Sequence, residues 1–427
     1  MMLDTTRRKP DYPLLTAIGI LIPIGLVMVY SASFVDAYTN RDSPIYYAIK
    51  QLGAAIVGIV MMLLVIRLDY RFWRRYSVQM LAVTLLLMML TLILPKSMTE
   101  VNGARSWIRI GIFSVQPSEI AKLTLIVYFA DWLSRRGNKV ANVTYGLIPF
   151  AVMLGVVCGL VMLGHDLGTT VVLVFIGGII YFVAGANLLH ILGATVIAAG
   201  VFWSMVNVAS YRQDRIAAWL DPFAHYLGAG YQPVHSLYAL GSGGIVGVGL
   251  GQGRQKFLWL PQAHTDAIFA IIGEEFGFIG TVFIVLVFAV IAYRGIRIAG
   301  RSADPFAALM AAGITAWLVV QAIINMAVVT TLIPFTGLTL PFLSYGGTSL
   351  VMSMVAAGVL LNISKHTSEI ARAETEDVPL KRPAARLALT TTVTHWWRNR
   401  GSAKVAKSHN SLRAGKTDTR WTYRRLR

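Results

Sequence analysis

The sequence predicts an all-α polytopic membrane protein, with about ten transmembrane helices, large extracellular loops and both termini in the cytoplasm. Three observations predict it. Mean hydropathy is +0.62 over 427 residues, with 56% hydrophobic and only 14% charged residues. Apolar runs recur at close to the ~20 residues that cross ~30 Å of hydrocarbon. Lys and Arg collect at alternate junctions between those runs.

The runs are approximately Pro13–Phe34, Tyr47–Ile66, Tyr76–Leu94, Pro117–Leu133, Tyr145–Leu163, Gly168–Ala186, Leu189–Ala209, Ala267–Tyr293, Phe306–Thr330 and Pro341–Asn362. Arg7-Arg8-Lys9 precede the first, with no A-x-A-like cleavage site, so it reads as a retained helix. Arg67, Arg71, Arg74 and Arg75 follow the second. Arg135, Arg136 and Lys139 follow the fourth, and Arg294, Arg297 and Arg301 the eighth. Only Gly185-Ala186-Asn187 divides the sixth from the seventh. If the runs alternate across the bilayer, every basic junction falls on one side, which the positive-inside rule makes cytoplasmic. An even number of spans returns the C-terminus to that side, so ten fits the charges where nine or eleven would not. Cys158 lies inside the fifth run, where it reads as a small buried hydrophobe; a lone cysteine allows no intramolecular disulfide.

The chain therefore divides into a cytoplasmic N-terminus (1–12), a helical membrane domain (13–363) and a basic tail (364–427). The tail holds 15 Lys and Arg against 5 Asp and Glu, more than half of the net charge of +18. It has no apolar period and reads as a disordered segment attracted to the anionic inner leaflet. A nucleic-acid partner is not expected of a chain that is otherwise membrane.

Three external segments stand out: Pro95–Gln116, Tyr211–Asp266 and T-L-I-P-F-T-G-L-T-L-P between the last two spans. The largest ends in L-P-Q-A-H-T-D-A-I-F-A-I-I-G-E-E-F-G, which enters the eighth span. Charge in lipid is costly unless it lines a cavity or finds a partner, so His264, Asp266, Glu274 and Glu275 are candidates for function. Asp266 sits at the helix mouth, where Thr265 or Asp266 suits an N-cap as well as it suits chemistry. Glu274 and Glu275 lie roughly 12–14 Å deeper at 1.5 Å per residue, and one of them could equally bind an Arg or Lys of another helix. H-x-D with no third ligand nearby is a weak metal signal. The segment G-S-G-G-I-V-G-V-G-L-G-Q-G has no preceding strand and no following G-K-[ST], so it is not a nucleotide loop. It reads as tight backbone approach or a re-entrant fold. Arg254 and Lys256, with Arg105 and Arg109 of the earlier loop, could form a cationic cleft for phosphate or be ordinary solvated charge.

Five stretches resemble the SEDS family of FtsW, RodA and SpoVE: V-Y-S-A-S at Val29–Ser33, N-G-A-R-S-W-I at Asn102–Ile108, Q-P-S-E-I-A-K-L at Gln116–Leu123, the L-P-Q-A-H-T-D stretch, and G-L-T-L-P-F-L-S-Y-G-G-T-S at Gly337–Ser349. They occur in family order over about residues 12–365, and their details look most like the FtsW branch. The resemblance implies a peptidoglycan glycosyltransferase that polymerises lipid II outside the cytoplasmic membrane. It also implies work at the division septum with a class B penicillin-binding transpeptidase and other divisome membrane proteins. It makes Asp266 the essential catalytic residue and Arg105 functionally important, and it draws Ser344 into the candidate substrate site with Arg109, Arg254, Lys256, His264, Glu274 and Glu275. The chain departs from the family at Gln262, where a Glu is usual, at Thr336, where many members carry Lys, and at Gly164-His165-Asp166-Leu167-Gly168-Thr169. If that Lys helps to hold pyrophosphate, Lys256 or Arg254 would have to serve here.

The chemistry suits these residues. A sugar hydroxyl needs a base, and a lipid-pyrophosphate leaving group needs cations or a metal, for which Mg or Mn is the candidate. Inversion at the anomeric carbon needs no second nucleophilic carboxylate. Rival readings are a lipid II flippase, which would use polar groups near the midplane such as Glu274, Glu275, Lys50, Asp166 and Asn325, a RodA-like elongation polymerase, and a non-catalytic scaffold.

Overall fold

The computed structural model describes residues Lys9–Ala373 apart from Asn102, Ile112 and Ala209. The expected tail lies outside the described residues from 374 onward. Its first residues do not begin a separate segment, because the last helix runs on to Ala373 instead of ending at Asn362.

In chain order the helices are α1 (Tyr12–Arg41), α2 (Tyr46–Arg67), α3 (Arg71–Arg75), α4 (Ser77–Ile93), α5 (Lys96–Thr99), α6 (Pro117–Ser134), α7 (Ile148–Leu163), α8 (Leu167–Val183), α9 (Leu188–Val208), α10 (Ser210–Leu220), α11 (Tyr231–Gly243), α12 (Ile268–Arg301), α13 (Pro305–Val329) and α14 (Gly347–Ala373). Between α5 and α6 lie two short antiparallel hairpins. β1 (Glu100–Val101) pairs with β2 (Ala104–Arg105), and β3 (Ile108–Ile110) with β4 (Phe113–Val115) in the register Ile108 to Val115.

A helix stands at each of the ten expected runs. Six are long and apolar enough to cross a membrane: α1, α2, α7 with its preceding turn, α12, α13 and α14. α4, α8 and the first part of α9 are shorter apolar helices. α6 differs because Glu119, Lys122 and Asp131 interrupt it, yet these three are buried inside the bundle. The last run, expected from Pro341, begins its helix only at Gly347, since Pro341–Gly346 form a turn.

Contacts between helix ends show that the spans alternate. Asp11, the N-cap of α1, pairs with Arg294 near the end of α12, and its backbone N–H donates to the Ser364 hydroxyl of α14. Asp131 at the end of α6 binds Arg135 through both oxygens, and also binds Arg74 and Ser77. Lys365 and Asn362 donate to the Ile66 carbonyl at the end of α2. The start of α1, the ends of α2, α6, α12 and α14, and the basic residues thus share one end of the bundle. At the other end Asp166 caps α8, accepting from Thr169, and receives Gln116 and Ser118 from the start of α6.

α12 is not one straight helix. Gly277 has φ 66° and ψ −163°, which breaks it. The break is filled by the Gly-rich segment after α11. Phe278 and Ile279 N–H donate to the carbonyls of Gly244 and Ile245, at 2.9 and 3.1 Å. Val248 and Gly249 N–H donate to the carbonyls of Glu274 and Glu275, both at 3.0 Å. Irregular backbone at membrane depth needs such internal partners. Glycine is required for the approach: a Cβ on Gly247 would stand 2.2 Å from the Glu275 carbonyl oxygen, and one on Gly277 2.3 Å from the Gly247 nitrogen, both at positive φ. This close approach agrees with the re-entrant reading of the segment.

Candidate active site around the His-Thr-Asp turn

Asp266 lies in the turn that leads into α12. Gln262, at φ 53°, lets the chain fold back, so that its carbonyl accepts from the N–H groups of Thr265 and Ala267. The N-cap of α12 is Ala267, with no side-chain cap bond. Neither Thr265 nor Asp266 caps the helix, so the capping expectation is corrected: the Asp266 side chain is not spent on α12. The Thr265 hydroxyl reaches Asp266 Oδ1 at 2.8 Å and Gln262 Oε1 at 2.9 Å. It has one proton to give, so the Gln262 and Asp266 oxygens compete for it.

The turn is pinned from three sides. His264 packs against Tyr47 of α2 (ring centroids 4.5 Å apart) and Tyr345 (5.5 Å), and its carbonyl accepts from the Tyr345 N–H. Asn325 of α13 donates through Nδ2 to the carbonyl of Asp266 at 2.8 Å and to that of Leu338 at 2.6 Å. That second bond brings the segment after α13 beside the carboxylate, where a Cβ on Gly337 would lie 3.6 Å from Asp266 Oδ2. Further along, the Ser344 hydroxyl accepts from the Leu340 N–H, while Gln51 of α2 donates to the Ser344 carbonyl and accepts from Gly346 N–H. Ser344 thus closes the turn before α14.

Burial dominates the electrostatics. Asp266 is 8% exposed, and desolvation pushes its carboxyl up to about 6, against the opposing Thr265 hydrogen bond and the positive charge of Arg215. Burial likewise lowers His264 to about 4, so its ring is neutral at pH 7. Arg215, on α10, also donates to the Phe335 carbonyl at 3.3 Å. The sequence reading missed Arg215, because an arginine among three in the 211–266 loop carries no spacing signal. It treated Asn325 only as a polar group in a transport path.

The remaining candidates fall elsewhere. Lys256 is buried, with its ammonium 2.7 Å from Glu275 and 2.9 Å from the Ser31 hydroxyl of α1, which itself donates to Glu275. Glu274 accepts from the backbone N–H groups of Arg254 and Gln255. Glu274, Glu275 and Lys256 therefore fasten the 253–256 segment to α12 and α1, and the Lys256 charge is engaged there. The Arg254 side chain is exposed. Arg109 is exposed and donates to the carbonyls of Ser97 and Glu100. Arg105 lines a small recess with Met88, Thr91, Ser106, Pro117 and Ser118, and its Nε is buried without a partner. Neither Arg105 nor Arg109 touches Asp266. Beneath the 337–340 segment, fully buried Lys122 pairs with Glu119 at 2.6 Å and donates to Gln321, which donates to the Thr339 carbonyl.

Among the described residues no three His, Cys, Asp or Glu side chains are grouped to hold a metal ion. Among the described residues the turn offers a single carboxylate, one ligand at most for an Mg or Mn ion.

Residues 12–369 match the family model for FtsW, RodA and SpoVE, described as cell cycle protein. The chain is 43% identical over 368 residues to stage V sporulation protein E of Bacillus subtilis, covering 86% of this chain and all of that one. It is 43% identical over 363 residues to the probable peptidoglycan glycosyltransferase FtsW of Trichlorobacter lovleyi, covering 84% of this chain and 95% of that one. Among solved structures, a chain of a peptidoglycan synthase complex that coordinates polymerization and crosslinking superposes with a TM-score of 0.71 at 27% identity, over 83% of this chain and 97% of that one. The rod shape determining protein RodA of Thermus thermophilus superposes at 0.62 with 26% identity, over 83% of this chain and 96% of that one.

Proposed function

This chain belongs to the FtsW/RodA/SpoVE family, and from that premise we propose that it is a peptidoglycan glycosyltransferase, a multi-pass membrane enzyme that polymerises lipid II. The basic end of the bundle faces the cytoplasm by the positive-inside rule, which puts Asp266 on the outer face, where the polyprenyl chain stays in the bilayer and the sugar head enters the site. We assign the work to the division septum from the resemblance to the FtsW branch. A class B penicillin-binding transpeptidase is the partner that such work requires.

The observation that carries this reading is a buried carboxylate, uncommitted to capping, whose affinity for protons is raised toward neutrality. A base works best with a pKa near the working pH. Asp266 takes the proton of the acceptor hydroxyl as that oxygen bonds to the anomeric carbon of the donor. The bond to the pyrophosphate oxygen breaks in the same displacement, and the electron pair leaves with the lipid pyrophosphate. Arg215, whose charge acts on Asp266, is the cation we assign to meet that charge, with the exposed Arg254 as a second candidate. The single displacement inverts the anomeric centre.

Labelled lipid II incubated with the full-length chain tests the reading. Asp266→Asn keeps the shape of the side chain and removes the base, so glycan should fall by ~10²–10⁴-fold while insertion and complex formation are retained. Substantial polymer from Asp266→Asn would leave Asp266 with a structural role only.

A further inference from the structure

Asn325 stands 1% exposed near the C-terminal end of α13. Its two bonds run to backbone carbonyls on two different segments, Asp266 before α12 and Leu338 after α13. Both partners are acceptors, so the NH₂ group must face them and Oδ1 must point away; Oδ1 is buried without a partner. Asp266 and Leu338 make no backbone bond to each other in the structure. Among the described residues, the Asn325 side chain is the hydrogen-bonded bridge between these two. Gly337, next to Leu338, is the backbone that lies against the Asp266 carboxylate.

We infer that Asn325 is a positioning residue for the proposed reaction, holding the Asp266 carboxylate in register with the Thr336–Leu338 segment so that base and sugar meet at reacting distance. The inference rests on the reading of Asp266 as the base. It assigns Asn325 no contact with substrate and no part in a translocation path. Losing the bridge frees the His-Thr-Asp turn to shift, and a misplacement of ~1 Å costs about 10²-fold in rate. Substrate affinity, set by groups elsewhere, should hold. A loosened turn also admits water to Asp266, and less desolvation lowers the pH at which the carboxylate ionises.

Asn325→Leu keeps the volume and removes both donors. Asn325→Asp keeps the shape and sets oxygens against the two carbonyls; it carries the same test should the Leu variant fail to insert. Each is purified as the full chain beside wild type and Asp266→Asn, and polymerisation of labelled lipid II is measured against concentration and pH. We expect kcat to fall by ~10- to 100-fold with KM within about twofold, and the acid limb of kcat/KM to move below its wild-type position near pH 6. Wild-type kcat in both variants would overturn the inference. So would a loss shared equally by kcat and the amount of folded protein, with the acid limb unmoved, because that marks Asn325 as packing alone. Activity in Asp266→Asn would instead sink the base assignment, whatever the Asn325 variants do.

Discussion

Lys256→Met removes one charge from a pair that is shielded from water. Lys256 and Glu275 have side-chain exposures of 5% and 0% and stand 2.7 Å apart. Ser31 is the other donor to the Glu275 carboxylate, and α1 and α12 also pack against each other. Methionine fills most of the lysine stem, so little cavity is created. The loss is that of a buried carboxylate deprived of its counter-charge, about 3–5 kcal/mol. Replacing both partners, Lys256→Met with Glu275→Gln, removes the charge as well as its partner and should restore most of the stability, because a buried pair is worth little against neutral groups of similar volume. Unfolding of each variant in detergent, followed by thermal or denaturant titration, gives a double-mutant cycle. A coupling below about 0.5 kcal/mol would refute the reasoning, since independent sites add to within that margin. The His-Thr-Asp turn should follow the anchor: the single mutant should lose polymerisation at temperatures where the double mutant retains it.

Three further outcomes follow from the geometry. Activity should rise with pH through about 6 as Asp266 gives up its proton, and Arg215→Ala, by removing a cation that favours the carboxylate, should move that rise to higher pH; an unmoved profile would separate Arg215 from Asp266. Gly247→Ala should abolish folded protein, because its Cβ would sit 2.2 Å from the Glu275 carbonyl at φ 83°, whereas Gly241→Ala, which meets nothing within 4 Å, should express normally. Cysteines at Ala104 and Ala229 should react with an impermeant thiol reagent added outside intact cells, and one at Gly137 should not; the reverse pattern would place Asp266 in the cytoplasm.

The helices were legible because lipid imposes a length and a polarity that a one-dimensional average detects. Even α6 was found, although Glu119, Lys122 and Asp131 lower its hydropathy, because its apolar residues still fill the span. The break at Gly277 was not legible: the run from Ile268 to Ile291 is apolar on both sides of the Glu pair, and hydropathy carries no information on φ. The alternative that one Glu binds a cation of another element was open in the sequence, and the pair divides that work, Glu275 taking Lys256 and Glu274 taking backbone N–H groups. Lys256 reads as a phosphate ligand beside Arg254 because neighbours in sequence look alike; the structure turns one inward and leaves the other exposed. Asn325 and Arg215 reach backbone and charge far away in sequence, and such contacts leave no periodic trace.

The Gly-rich segment that fills the break in α12 also fixes an order of assembly. Residues 244–249 leave the ribosome before 274–279, the backbone that satisfies them. Ser31 has by then waited for Lys256 and Glu275 since α1 was made. The turn at 262–266 must wait longer still, for Asn325, for Leu338 and for Tyr345, which arrive with the last two spans. The first eight spans can be in the bilayer while the turn still lacks these partners. A chain shortened before Asn325 would insert most of its helices yet lack the partners of the Asp266 and His264 carbonyls, so the proposed activity would wait for the last two spans.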